Sequence, residues 1–158
     1  MKNKLIMSIL LILSISNVQA AYPILEEEKC VQVMEEEIEF DKENKYHTEC
    51  MATAVAEDVN IMGPTKVDSM TTLVNVTALK DVIIYNYRVT LPKRMLPNID
   101  SIKKVLKKTI TMANCQNKEI KSYILDININ IVHTYYLKKG DLLTSFKISA
   151  ADCENVKL

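Results

Sequence analysis

Two stretches in the first half of the chain place apolar residues at helical intervals. The first follows Pro23 and predicts a helix over about residues 24–39. The polar residues 41–46 come next, and we expect them to break this helix. The second stretch predicts a helix over about residues 48–60, which ends before Gly63-Pro64.

The pattern then changes to an alternation of β-branched and polar residues, which predicts strands. The first two strands cover about residues 71–79 and 82–91. Lys80-Asp81 lies between them as a two-residue hairpin connection, although the favoured Asn-Gly pair is absent. Because the connection is so short, we expect the two strands to be antiparallel neighbours.

The clearest amphipathic helix runs from Asn98 or Asp100 to about Asn114. The side chain of either Asn98 or Asp100 can cap the first turn of this helix. A short turn of helix is expected after it, over residues 118–125. The apolar stripe of the amphipathic helix consists of Ile99, Ile102, Val105, Leu106, Ile110 and Ala113.

Two further alternating stretches predict the last strands, with a turn at residues 138–141 between them. One face of the first strand carries Ile127, Ile129, Ile131, His133 and Tyr135. The inward face of the last strand is assigned to Leu142, Thr144, Phe146 and Ile148.

The predicted order of elements is ααββαββ. Strands joined by short turns indicate an antiparallel four-stranded sheet with helices on one face, which is the α+β class. Residues 21–158 fit a single domain, in which residues 21–47 form an acidic N-terminal helix and link. The 48% of hydrophobic residues is enough for a packed core.

Residues 1–20 have the features of a secretory signal peptide. Lys2 and Lys4 supply the positive start, an apolar run follows, and Val18-Gln19-Ala20 is a cleavage site of the expected kind. The run is short for a membrane span and no later segment is longer, so we expect no membrane span after cleavage. No cysteine follows the run directly, so a lipid anchor there is not supported. The predicted location is the periplasm or the extracellular medium.

Export changes the meaning of the four cysteines, Cys30, Cys50, Cys115 and Cys153. An oxidising compartment favours two disulfides, for which three pairings are possible. A metal site is the rival, but the chain has no C-x-x-C pair and no Cys/His cluster at ligand spacing. Two sequential helices favour Cys30–Cys50, and the end of the amphipathic helix and the end of the last strand favour Cys115–Cys153. The fold is therefore predicted to be disulfide-stapled.

The charge balance excludes several classes of function. The chain has 20 basic and 20 acidic residues, two basic ones in the signal, so the mature charge is −2 and argues against a nucleic-acid binder. Two glycines are too few for a phosphate-binding loop or a dinucleotide fingerprint. We therefore expect no cofactor.

The charges are unevenly distributed along the chain. Residues 26–58 carry a net charge of −9, and residues 93–121 carry +6. The simpler interpretation is two solvated helix faces. The alternative is a surface for a protein partner, where charge sets encounter rate and orientation. The candidate partner-binding residues are Lys103, Lys104, Lys107, Lys108, Glu35 and Glu36.

Catalytic chemistry finds little support in the chain. His47 lies in a polar stretch without a serine or cysteine nucleophile in a suitable context, and His133 shares a strand face with apolar residues. Tyr85 and Tyr87 alternate in a manner typical of sheet packing. An enzyme built on carboxylates such as Asp68 or Asp152 ranks last, because no paired-carboxylate spacing is visible. We expect no metal site and no enzymatic activity.

One set of residues from Met51 onward forms a pattern that covers about two thirds of the chain. It consists of Val67, Asp68, Thr71, Leu73, Tyr85, Asn86, Tyr87, Cys115, Tyr135, Tyr136, Gly140, Ser145, Phe146, Ile148, Asp152 and Cys153. The closing segment of the pattern is its most specific part. This pattern resembles an uncharacterised family of short exported proteins of Gram-negative bacteria. The resemblance implies an exported α+β domain with a Cys115–Cys153 bridge, and it carries no activity.

These observations favour an exported protein that works by binding a protein partner. The first hypothesis is a non-catalytic accessory factor, for example for a secretion or surface-assembly system. The alternative is an inhibitor or immunity protein that blocks a hydrolase or toxin outside the cytoplasm, since size, export and disulfides suit it equally well.

Overall fold

The computed structural model describes residues 40–154 and 156, with side chains from Thr48 onward. The predicted signal peptide, the predicted helix over residues 24–39, Cys30, and the pair Glu35 and Glu36 all lie outside the described residues.

The first described element is a single helix, α1, over Phe40–Ile61. The predicted break at residues 41–46, and with it the predicted link up to residue 47, is therefore wrong. This stretch is polar, but it contains no glycine or proline, and its lysines and glutamate favour helix. The predicted end is confirmed: Gly63 has a positive φ of 65°, and its N–H donates to the Asn60 carbonyl at 2.9 Å.

Five strands form one mixed sheet in the order β1-β2-β3-β4-β5. The predicted antiparallel hairpins β2–β3 and β4–β5 are confirmed, but β3 and β4 pair in parallel, so the prediction of four antiparallel strands is wrong. The strands are β1 Thr65–Lys66, β2 Thr71–Leu79, β3 Val82–Val89, β4 Asn130–Leu137 and β5 Leu142–Ile148.

The parallel pair follows from the long connection between β3 and β4. A helical crossover returns the chain to the end of the sheet where β3 began, which brings β4 in parallel to β3. The extra strand β1 has only two residues, too few to produce an alternation in the sequence. The crossover consists of a 3-10 helix Lys93–Asn98, the helix α2 Ile99–Gln116, the short helix α3 Lys118–Ile120 and a π-helical turn Lys121–Leu125.

The position of helix α2 confirms the predicted amphipathic helix, but the predicted side-chain cap at its start is not observed. Asn98 occupies the N-cap position without a side-chain hydrogen bond to the first turn. The following helix, α3, does have a side-chain cap. Asn117 precedes it, and its Oδ1 accepts from the N–H groups of Glu119 and Ile120 at 2.9 and 3.0 Å. The short helical turn predicted over residues 118–125 is thereby confirmed.

A bulge near the start of β5 changes which of its side chains face inward. The pairing shifts between Tyr135, which faces Thr144, and Tyr136, which faces Leu142. Leu143 is consequently buried, whereas Leu142 is 61% exposed and was wrongly assigned inward. A one-residue shift of this kind sends a side chain to the other face of the sheet.

One face of the sheet carries the core, and both long helices contribute to it. Helix α1 buries Met51, Ala52, Val55 and Ala56 there. The side chain of Asn60 also joins α1 to the outer edge of β2, because it pairs with the N–H and the carbonyl of Val76 at 2.8 and 2.6 Å. The strand residues buried on this face are Val76, Ile83, Tyr85, Val89, Ile131, His133, Tyr135, Leu143, Phe146 and Ile148.

The predicted Cys115–Cys153 disulfide is confirmed and joins the last turn of α2 to a final helix, α4, Ala150–Glu154. Cys50 on α1 is also disulfide-bonded. Its predicted partner, Cys30, lies outside the described residues.

Removal of the Cys115–Cys153 bond is expected to destabilise the fold by about 4 kcal/mol, because a closed loop of this size restricts the unfolded chain to that degree. The bonded residues are separated by 38 positions. The Cys115→Ala/Cys153→Ala double variant is compared with the parent by urea denaturation under non-reducing conditions, where the bond of Cys50 stays intact. A loss below about 1 kcal/mol would contradict this role of the bond.

Candidate functional site

A row of aromatic rings crosses the three strands at the centre of the buried face. The register places Tyr85, His133 and Phe146 side by side, with Tyr87 beside Tyr135 in the next row. The rings of Tyr87 and Tyr135 are nearly parallel at 4.6 Å between centroids, and those of Tyr85 and His133 lie 5.4 Å apart. The alternation seen in the sequence is therefore sheet packing, as predicted.

His133 is the polar centre of this row and is fully engaged. The Asn114 side-chain nitrogen on α2 lies 3.2 Å from Nε2 of His133, and it also donates to the Ile110 carbonyl at 2.9 Å. Because an amide NH₂ group can only donate, Nε2 accepts, and the ring proton lies on Nδ1. That proton is donated to the Tyr87 hydroxyl oxygen at 3.2 Å. Both ring nitrogens are thus occupied in the neutral form.

Burial keeps this histidine neutral. The side chain is 5% exposed, and burial lowers the pKa of His133 to about 3. Protonation of Nε2 would direct an N–H at the Asn114 amide donor. The prediction that His133 is a hydrogen-bonded core residue is therefore confirmed, and the ring is unsuited to proton transfer near neutral pH. The side chain of His47 lies outside the description.

An apolar cleft opens beside this row, between α2 and the sheet. Its floor takes one residue from each of four strands, namely Thr71, Val89, Tyr135 and Leu143. The cleft encloses about 560 Å³, including the solvent at its mouth. One wall is built by Ile102, Val105 and Leu106 of α2, and the remaining lining residues are Asp68, Met70, Leu91 and Met95.

The cleft exists because α1 stops short of this part of the sheet. The last turn of α1 bonds to Val76, whereas Thr71 lies five residues nearer the start of β2, about 16 Å along the strand. Thr71 pairs with Val89, so the uncovered area extends across to the end of β3. Helix α2 covers only one side of it, which leaves an apolar surface open.

One charged side chain lines the cleft, Asp68. Its Oδ1 accepts from the N–H groups of Met70 and Thr71 at 2.7 and 2.8 Å, and these bonds fix the turn that leads into β2. Burial, and to a lesser degree the negative charge of Asp68, raise the pKa of Tyr135. Asp68 and Tyr135 thus both line the cleft and interact electrostatically.

The four lysines of α2 fall into two pairs. Lys103 lies 3.5 Å from Asp100, and Lys107 is close enough to Asp152 to affect its titration. Lys104 and Lys108 are exposed and form no ion pair within the described part of the chain. Lys108 follows the cleft residue Val105 by three positions, so the two are neighbours on the helix surface.

Asp152 has a structural role at the start of α4. The Ser149 hydroxyl donates to its carboxylate at 2.7 Å and the Ser149 N–H at 2.8 Å. The pKa of Asp152 is lowered, first by the Ser149 hydroxyl and then by that N–H and the charges of Lys107 and Lys147, while partial burial opposes the shift. Asp68 and Asp152, the two carboxylates considered from the sequence, thus lie in separate places with separate partners.

Residues 40–154 and 156 contain neither a cluster of metal-ligating side chains nor a membrane-spanning helix. The side chains described there contain no group of three or more His, Cys, Asp or Glu residues that could hold a metal ion. None of the helices in this region is both long enough and apolar enough to cross a membrane.

Solved structures with the same fold come from Gram-negative bacteria. A protein of Pseudomonas aeruginosa described as secreted is 17% identical, with a TM-score of 0.57, covering 70% of this chain and 96% of that one. The type 2 secretion system pilotin EpsS of Vibrio vulnificus is 15% identical, with a TM-score of 0.61 and coverages of 71% and 96%. The type II secretion system pilotin AspS of Vibrio cholerae is 16% identical, with a TM-score of 0.58 and coverages of 72% and 98%.

At these identities the likeness concerns the fold. No protein-family model matches the chain, and no curated protein matches it. The predicted resemblance to exported Gram-negative proteins agrees with these neighbours in its coarse outline, since one is described as secreted and two belong to a secretion system.

The buried neutral His133 is expected to make stability fall with acid. Its pKa is about 3 in the folded protein, against about 6.5 in the unfolded chain. Below pH 6.5 the unfolded chain therefore binds a proton that the folded protein does not, and stability decreases as the pH falls towards 3. Between pH 7 and pH 5 the expected loss from this residue is about 2 kcal/mol.

The measurement is the free energy of unfolding by urea at both pH values, for the parent and for His133→Gln. The comparison uses the difference between the two pH values, because the substitution also changes stability at neutral pH. His47 is present in both proteins, so its contribution cancels in this comparison. Equal pH dependence in the parent and in His133→Gln would show that His133 is not the buried neutral group described above.

Proposed function

We propose that this protein is an exported, non-catalytic accessory factor of a type II secretion system, which acts by binding a protein partner. The observation that carries the proposal is the apolar cleft between α2 and the sheet. Eight of its eleven lining residues are apolar, and Asp68 is the one charged residue among them. An open surface of this composition suits apolar side chains of another protein better than a polar small molecule.

The structural neighbours supply the biological setting of the proposal. Two of them are pilotins of type II secretion systems, and the match spans nearly the whole of each. Because identity is low, the setting comes to this chain as a proposal. The signal peptide expected over residues 1–20 agrees with it, since such a factor would act in the periplasm or beyond it.

A non-catalytic role is consistent with the engagement of the polar groups. His133 is buried and bonded through both ring nitrogens, and Asp152 is used in the first turn of α4. Asp68 fixes a turn through one of its oxygens. No feature of the described region specifically favours the inhibitor or immunity-protein alternative.

The basic residues contribute to the proposal in unequal degrees. Lys104 and Lys108 have their charges available for a partner, whereas Lys103 and Lys107 are partly compensated by Asp100 and Asp152. We propose that the exposed pair orients an acidic region of the partner that lies beside the cleft and not in it. Glu35 and Glu36 remain proposed partner-binding residues outside the described part of the chain.

Deletion of the gene is expected to reduce the release of type II secretion substrates about tenfold, measured as enzyme activity in the culture medium of the source bacterium. The parent restores release, while Val105→Glu fails, because it places a charge on the apolar wall of the cleft. The matched control is Thr77→Glu, at an exposed position of β2 next to the inward-facing Val76. Both variants must reach parental protein levels. Normal release in the deletion strain would refute the function, and rescue by Val105→Glu would refute the role of the cleft.

The two lysine pairs give a separate prediction in the same strain. Lys104→Glu/Lys108→Glu is expected to restore release less well than Lys103→Glu/Lys107→Glu, by roughly threefold, because only the first pair reverses uncompensated exposed charge. The measurement is the same culture-medium activity at equal protein levels. Equal rescue by the two double variants would remove the exposed lysines from the proposed partner surface.

A further inference from the structure

Tyr135 contributes a hydroxyl group to the floor of the cleft. Tyr135 is 3% exposed, and its ring packs against Tyr87 and Phe146. Its hydroxyl forms no hydrogen bond with any described residue. No fully enclosed side-chain polar atom in the described region lacks a partner, so this oxygen faces the space of the cleft. A buried hydroxyl left open in this way is available to a ligand.

The carboxylate of Asp68 uses only one of its two oxygens for hydrogen bonds with described residues. Oδ1 of Asp68 accepts two backbone N–H groups, which hold the side chain in one orientation. Its other oxygen, Oδ2, has no hydrogen bond, and the residue forms no ion pair within the described region. The lining of the cleft therefore includes one carboxylate and one hydroxyl group that can still accept hydrogen bonds, among mostly apolar residues.

We propose that the cleft binds a protein segment whose apolar side chains surround one basic side chain, and that this group donates to Asp68 Oδ2 and to the Tyr135 hydroxyl oxygen. The inference rests on the proposed function and identifies the chemistry of the partner. Both a lysine ammonium and an arginine guanidinium have enough donors to reach two acceptors.

The physical reason is the cost of covering Asp68. A wholly apolar segment would remove water from the carboxylate without replacing its hydrogen bonds, and an acidic one would add repulsion. A basic side chain compensates the lost hydration and is itself neutralised. The cleft thereby discriminates between segments of equal hydrophobicity, mainly by rejecting those that lack a positive charge. Lys104 and Lys108 on α2 oppose segments with many basic residues, so a single one is expected.

The test is selection of peptides from a phage-displayed random 12-residue library on the full mature protein. One arm uses the parent and the other uses Asp68→Asn, which keeps Oδ1 as the acceptor of the turn and removes the charge. The expected peptides from the parent are rich in apolar residues around one lysine or arginine. A selected peptide with lysine is then compared with its norleucine counterpart by calorimetry.

Norleucine is expected to weaken binding to the parent about tenfold and binding to Asp68→Asn less than about twofold, since a charged hydrogen-bonded pair is lost only in the parent. Tyr135→Phe should reduce the preference for lysine about threefold. The matched control is Asp141→Asn, an exposed carboxylate in the turn between β4 and β5, which should retain the full preference.

Apolar peptides without a basic residue that bind parent and Asp68→Asn equally would overturn the inference and leave the cleft as a docking surface. Equal affinity of the lysine and norleucine peptides for the parent would overturn it in the same way. If no selected peptide binds the Val105→Glu variant more weakly than the parent, both the inference and the cleft as the binding site of the proposed function would be overturned.

Discussion

The hydrogen bonds of His133 are the interaction on which the rest of the structure depends. The ring lies on the interior strand β4, accepts from Asn114 of α2 and donates to Tyr87 of β3. It therefore bonds the crossover helix to both members of the parallel strand pair, in a buried place where an unpaired polar atom would be costly. The next residue of α2, Cys115, is covalently joined to α4. The C-terminal end of α2 is thus held twice, and its direction over the sheet is set.

The cleft follows from the position of α2 and from the length of α1. Held at its C-terminal end, α2 places Ile102, Val105 and Leu106 beside a part of the sheet that α1 does not reach. The same arrangement places both Tyr135 and Asp68 in the lining of the cleft. Because the core of the domain is packed elsewhere, the cleft stays apolar and open. A protein that acts by binding needs such a surface. Fold and proposed function are connected through this one uncovered area.

Local patterns predicted most of the elements, and non-local contacts account for the errors. The alternation of residues 71–79 and the amphipathic stripe of α2 are properties of short segments, so both could be predicted. The parallel pairing of β3 with β4 depends on the path of a crossover that no local pattern records. The sequence pattern places Leu142 on the wrong face because Leu143 is an extra, bulged residue in the same strand. The cleft was missed entirely, because its residues are spread from Asp68 to Leu143 and become neighbours only in the folded chain. A signal existed for His133, an isolated polar residue on an apolar strand face.

The central claim is that this protein works by contact between its cleft and a secretion-system protein. Its most direct measurement is photocrosslinking in living cells from a benzoylphenylalanine placed at Val105, with the same group at the exposed Arg88 on the opposite face of the sheet as control. We predict a light-dependent adduct with a type II secretion component from position 105 and none from position 88. An adduct with that component only from position 88, or no secretion component from either position, would contradict the claim.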